Sequence, residues 1–160
     1  MRLIWTLAAG LLLTGCGVLP DGPTPGGDAP TGVAPGVTLY FVNRQEQLQP
    51  DPRTTGRLGS IADALALLLT GPGPGSRSDL HTEIAETAIT RVTVTTGPEL
   101  IRLVLPLARK EVTPLGIDQI VCTALGVHVQ GGGARTATVR LGFTQGTTDS
   151  DVPRACPLIK

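Results

Sequence analysis

Residues 60–72, SIADALALLLTGP, read as one complete helix with both ends marked. Ser60 suits the N-cap, and Asp63 three residues later comes close to completing a capping box. Ile61, Ala64, Leu65 and Leu68 recur at helical spacing on one face, and Leu69 widens it. Gly71 is available for the left-handed position after the helix, and Pro72 blocks its continuation. Such a one-sided helix must bury its apolar face against another layer, so the flanking segments decide the fold.

Upstream, VTLYFVN (residues 37–43) is rich in β-branched and aromatic residues and apolar on both faces, as a buried strand requires. The next segment, RQEQLQPDPRTTGRLG, is polar and broken by Pro50 and Pro52, and reads as mostly loop. Downstream, GPGPGSRS is an exposed loop. Asp79 to Thr90 is ambiguous, because Leu80, Ile84 and Ala88 keep helical spacing while Thr and Ile are frequent. Arg91 to Thr95 alternates, Thr96-Gly97-Pro98 is a turn, and Leu100 to Leu105 is strand-like. Together they predict a β-hairpin with one apolar face, Val92 and Val94 meeting Ile101, Leu103 or their neighbours.

Thr113-Pro114 has the form of a second helix start, with threonine as N-cap and proline in the first turn. Ile117, Ile120, Val121 and Ala124 form its buried stripe, Cys122 lies at the edge of that face, and Gly126 is expected to end it. After Gly131 to Gly133, Thr136 to Phe143 reads as a last strand. The order β-α-β-β-α-β predicts a single small α+β domain, with a largely antiparallel sheet and two helices on one face.

Four of these landmarks together resemble the GerMN domain of bacterial sporulation and spore-germination proteins. They are VTLYFVN, the helix ending ALALLLTGP, the hairpin RVTVTTGPELIRLVLP and the helix GIDQIVCTALG, spanning Val37 to Phe143. The VCTA helix with a Cys-Pro tail resembles the actinobacterial lipoprotein branch. The resemblance implies a module akin to the ring-building motifs of envelope and sporulation complexes, acting through protein contacts with no catalytic set. The chain departs from the family pattern at PLARKEVTPLG, where an acidic segment with a phenylalanine is usual.

The N-terminus has its own logic. Met1-Arg2 is a positive start, and Leu3 to Leu13 is an apolar run of eleven residues. A membrane span needs about 20 such residues, so the run has the length of a secretory signal peptide instead. Leu13-Thr14-Gly15-Cys16 resembles a bacterial lipobox, whose cysteine sulfur is acylated and becomes the mature N-terminus. The alternative is an ordinary secretory leader with a free Cys16. Lipidation would place the protein on the extracytoplasmic face of the cell membrane, because two acyl chains anchor stably at about 0.8 kcal/mol per buried methylene.

Gly17 to Gly36 contains eleven Pro or Gly residues in twenty, with no apolar periodicity. Such a segment cannot offset its ordering entropy and reads as a disordered tether of roughly 25 Å mean span. The expected organisation is therefore leader 1–15, lipidated Cys16 with tether 16–36, GerMN-like domain 37–145 and C-terminal tail 146–160.

The chain has 13 basic and 13 acidic side chains, so it carries no electrostatic footprint for nucleic acid. With Cys16 assigned to lipid, Cys122 and Cys156 remain as an even pair in a compartment that permits disulfides. Pairing them closes a loop of roughly 35 residues and is expected to contribute roughly 3–4 kcal/mol. The alternative leaves Cys122 as a buried free thiol. The spacing excludes a CxxC redox motif and a four-cysteine zinc site.

Asp79, His81 and Glu83 alternate and would share a face on a strand, where they could meet a metal. Beside a Gly/Pro loop they read as a polar loop instead, so no metal and no cofactor is expected. His128 reads as an exposed strand or loop residue. Ser60 is a cap, Ser76, Ser78 and Ser150 lie in loops, and none stands in a G-x-S-x-G elbow. Gly131 to Gly133 lacks the lysine of a phosphate loop. The expectation is a lipid-anchored, non-enzymatic interaction module whose partner is an envelope protein. The hairpin turn at Gly97 and the loop Gly71 to Ser78 are its candidate contacts. The competing expectation is a small-ligand-binding or envelope-modifying lipoprotein, with a pocket between the sheet and the loop Arg44 to Gly59.

Overall fold

The helix at Ser60 forms as its caps dictate. In the computed structural model, which describes residues 36–57 and 59–160, it runs Ile61–Leu69 (α1). Ser60 Oγ accepts from the Asp63 N–H at 3.2 Å, and Asp63 Oδ2 accepts from the Ser60 N–H at 2.9 Å. Gly71 stands at φ +79° just beyond the last turn, where a side chain would be strained. Ile61, Ala64, Leu65, Leu68 and Leu69 are buried. Each large member contributes roughly 1.5–3 kcal/mol through burial. The leader, Cys16 and the tether to residue 35 lie outside the described residues.

The α+β class holds, with one strand more than expected. Val37–Val42 (β1) pairs antiparallel with Leu48–Arg53 (β2). The second strand corrects the reading of 44–59 as mostly loop. Its prolines face Tyr40 and Thr38 across the pair. Two residues apart, they occupy alternate positions whose backbone N–H would point away from β1, so neither breaks the ladder. The turn between the strands is built by Asn43, whose Oδ1 accepts from the N–H groups of Gln45 and Gln47 at 3.0 and 2.9 Å. Glu46 closes it in the left-handed region, at φ 57°.

Thr93–Thr96 (β3) and Leu100–Val104 (β4) form the expected hairpin, with Val94 opposite Leu103 and Thr96 opposite Ile101. Thr138–Gly142 (β5) joins β4 in parallel register. A parallel neighbour requires a crossover, and Pro114–Gln130 (α2) supplies it. The strands thus divide into two sheets, β1–β2 and β3–β4–β5, rather than one. Both helices pack on β1 and on each other, and each reaches the second sheet, α1 at β3 and α2 at β5.

α2 is capped by Thr113, whose Oγ1 accepts from the Gly116 N–H at 3.1 Å. It does not stop at Gly126 but continues to Gln130, ending at Gly131 and Gly132 (φ +88°). Gly126 is a packing position: a Cβ there would lie 3.4 Å from the Tyr40 ring. Every residue from Gln119 to Val127 is buried.

Two polar side chains on this helix serve β1. Gln119 Nε2 donates to the Tyr40 carbonyl at 3.0 Å, and Thr123 Oγ1 accepts from the Tyr40 N–H at 3.2 Å. The segment left ambiguous, Asp79 to Thr90, is extended at its start rather than helical. His81 exchanges both backbone hydrogen bonds with Val42, and Ile84 bridges to Val112. The tail returns to the domain at Arg154, which exchanges both backbone bonds with Val139 at 2.8 Å. Among the described residues, no helix is long and apolar enough to cross a membrane.

Candidate functional site

The end of β2, on the face it shares with Leu39, and the end of α1 frame an open groove of about 530 Å³. Leu39 and Leu67 supply apolar surface, Arg53, Thr54 and Thr55 line one wall, and Gly71 to Gly75 form the other. A smaller depression of about 220 Å³ shares Thr55 and Leu67 with it. Leu67 is the α1 side chain that the core leaves out, at 41% exposure.

Arg53 organises this wall. Its Nε donates to Asp51 Oδ2 at 2.8 Å, its Nη2 donates to Ser76 Oγ, and Ser76 Oγ donates to the same Asp51 oxygen at 2.9 Å. The guanidinium lies 5.9 Å from the Phe41 ring centroid, over its face. The Gly/Pro loop, expected to be exposed, is therefore pinned to β2 through Ser76. Asp51 and Arg53 were missed as functional residues because their segment read as loop. Their signal is the alternation P-D-P-R, which sends the two prolines to one side and the two charges to the other.

The other singled-out residues sort clearly. Asp79 turns to Arg77 at 3.3 Å, while His81 Nε2 meets Glu83 Oε1 at 3.1 Å. So the D-x-H-x-E set divides, and Glu46 from the β1–β2 turn takes Asp79's place beside the other two. His128 is not in a strand or loop. It occupies the last turn of α2, half-buried, with its ring against the Cα of Gly133 so closely that a side chain there would collide. Ser60 is the α1 cap, and Ser150 Oγ lies within 3.4 Å of the Thr147 N–H. Among the described residues, no histidine side chain is hydrogen-bonded to a serine. The Sγ atoms of Cys122 and Cys156 are joined at 1.97 Å, with the Cα atoms 4.8 Å apart, linking the buried middle of α2 to the tail.

Beyond the groove, Arg109 crosses to the tail. Its Nε donates to Asp149 Oδ2 at 2.6 Å, holding that carboxyl below its ordinary value, and its Nη1 donates to the Val112 carbonyl at 2.7 Å. The segment that departs from the family pattern is therefore tied to the C-terminus here.

A solved structure of the tandem GerMN domains of the sporulation protein GerM from Bacillus subtilis matches this architecture. The TM-score is 0.52 at 16% identity, covering 84% of this chain and 48% of that one. The fold is GerMN-like. At this identity the likeness speaks for the fold alone, and the chain spans about half the length of the GerM structure. No protein-family model and no curated protein matches the sequence. Within the GerMN-like domain, the groove and the Arg53 network lie at β2, α1 and the loop after α1, whereas the His81 group lies at the β1–β2 turn.

Proposed function

We propose that this protein is a lipid-anchored module of the extracytoplasmic membrane face that works by binding an envelope protein and not by catalysis. The observation that carries this reading is a GerMN-like fold behind a leader ending in Leu13-Thr14-Gly15-Cys16. Acylation at Cys16 anchors the chain, the Pro/Gly tether sets its distance from the lipid, and the folded domain presents the contact surface. The groove beside Leu67 and the loop 71–78 is the preferred contact. It combines an exposed apolar side chain with a wall that Arg53 holds in place, so little ordering is lost on binding.

Mass spectrometry of the mature N-terminus tests the anchor: residues 1–15 absent and a diacylglyceryl group on Cys16 are expected. An unmodified Cys16 overturns the localisation. A photo-crosslinker at Leu67, used on intact cells, should recover one specific envelope protein. Recovery of none across growth stages overturns the interaction reading.

A second reading, a small-ligand-binding or envelope-modifying accessory lipoprotein, draws support from the groove's size and its Arg53 wall. It requires a low-molecular-weight ligand to raise the thermal midpoint of the purified chain and to protect the Leu67 position from crosslinking.

A further inference from the structure

Two carboxylates and an imidazole converge at the β1–β2 turn. Donor atoms of Glu46, His81 and Glu83 all lie within 4.8 Å of one another. The His81–Glu83 contact accounts for two of them as a hydrogen-bonded pair at 3.1 Å. It does not account for Glu46, which adds a second negative charge at the same point. Among the described residues, neither carboxylate has a Lys or Arg partner. Two unneutralised carboxylates held side by side repel, and a cation between them removes the repulsion.

The backbone that carries the three donors is fixed independently of them. His81 is held by its two bonds to Val42. The Glu83 N–H donates to Gln119 Oε1 at 2.8 Å, and the Glu83 carbonyl accepts from the Thr113 N–H at 3.2 Å. Glu46 donates its N–H to the Asn43 carbonyl at 3.0 Å, inside the turn that Asn43 builds. The donors therefore need only side-chain rotation to close on an ion. Neighbouring ligands on a tetrahedral zinc with bonds of about 2.0–2.1 Å stand about 3.3 Å apart, close to the His81–Glu83 separation.

We propose that Glu46, His81 and Glu83 form a binding site for a divalent transition metal, with zinc as the ion of best fit. The imidazole selects against calcium and magnesium, which prefer all-oxygen shells. Three protein ligands leave a position facing solvent, since Glu46 is exposed. The ion clasps the β1–β2 turn to the extended segment that follows the Gly/Pro loop. This departs from the polar-loop reading of residues 79–83, which had no means of placing Glu46.

Calorimetric titration of the purified, metal-stripped full chain with zinc chloride tests the site. One ion per chain at micromolar affinity is expected, with a rise in thermal midpoint and no response to calcium or magnesium. His81→Ala and Glu83→Gln should each weaken binding at least tenfold, and Glu46→Gln should weaken it while the metal-free midpoint does not fall, since one of the two repelling charges is gone. Because Glu46 is exposed, the last variant keeps the test valid even where another fails to fold. Absence of zinc binding below millimolar concentration overturns the proposal. So does undiminished binding in the Glu46→Gln and His81→Ala chains, which would place the ion elsewhere.

Discussion

Gln119 donates to the Tyr40 carbonyl from a side chain with no exposure to solvent, and its other amide atom accepts from the Glu83 N–H. One buried amide thus satisfies two backbone groups from segments separated by the whole of α1. Gln119→Leu keeps the approximate volume and leaves both groups without a partner. At roughly 1–3 kcal/mol for each, the expected loss is roughly 2–6 kcal/mol. Urea denaturation measures it. A change below about 0.5 kcal/mol, the scale of an ordinary surface substitution, would show that other partners take over.

Two glycines in α2 should respond in opposite directions to alanine. At Gly116 a Cβ would collide with the Glu83 carbonyl and lie 2.9 Å from Val112 Cγ1. Backbone must move, and Gly116→Ala is expected to cost about 2 kcal/mol despite its better helix propensity. At Gly126 the nearest atom is Tyr40 Cε2 at 3.4 Å, an ordinary contact. Gly126→Ala should therefore stabilise by about 0.5–1 kcal/mol. Thermal unfolding of the two variants decides, and equal signs would contradict the packing described.

The bond between Cys122 and Cys156 spans 34 residues of sequence. Cys156→Ser is expected to lower stability by roughly 3–4 kcal/mol through the freed unfolded chain. The tail after Phe143 should then become the first site of limited proteolysis. The backbone bonds of Arg154 to Val139, the packing of Ile159 and the exposed Arg109–Asp149 ion pair would remain, and exposed ion pairs are weak. Intact tails at protease levels that spare the parent chain would refute this.

Burial raises the carboxyl of Asp118 above its ordinary value, and the charge of Arg154 offsets part of that rise. A raised folded value means that the folded state holds the proton more tightly. The favourable contribution is complete below the unfolded value, near pH 3.9, and is lost as pH rises through the folded one. At neutral pH the ionised group opposes folding, so Asp118→Asn should be more stable than the parent there. The advantage should vanish on acidification to about pH 3.5, below the unfolded value. Denaturation curves at the two pH values test the sign.

Local chemistry was the legible part of this chain. The caps of α1, the start of α2 and the β3–β4 hairpin each rest on residues within a few positions of one another. β2 was hidden because proline reads as a breaker unless its partner strand is known. Only the pairing of Pro50 with Tyr40 shows that the missing N–H groups face outward. Gly126 read as a stop for the same reason, since the ring that packs on it comes from β1. The His81 group was half legible: the i, i+2 spacing brings His81 to Glu83, but Glu46 arrives from 35 residues earlier. The groove was half legible: a pocket against residues 44–59 was expected, but its second wall hangs on the bonds of Ser76 to Arg53 and Asp51.

The two prolines of β2 have a consequence wherever copies of this chain meet at high local concentration. A sheet edge with free N–H groups invites the same edge of a neighbouring molecule. Here the β2 edge lacks two donors, and the opposite edge at β1 is occupied by Gln119, Thr123 and His81. The two-stranded sheet therefore offers no edge with a full row of free donors on which a third strand could grow.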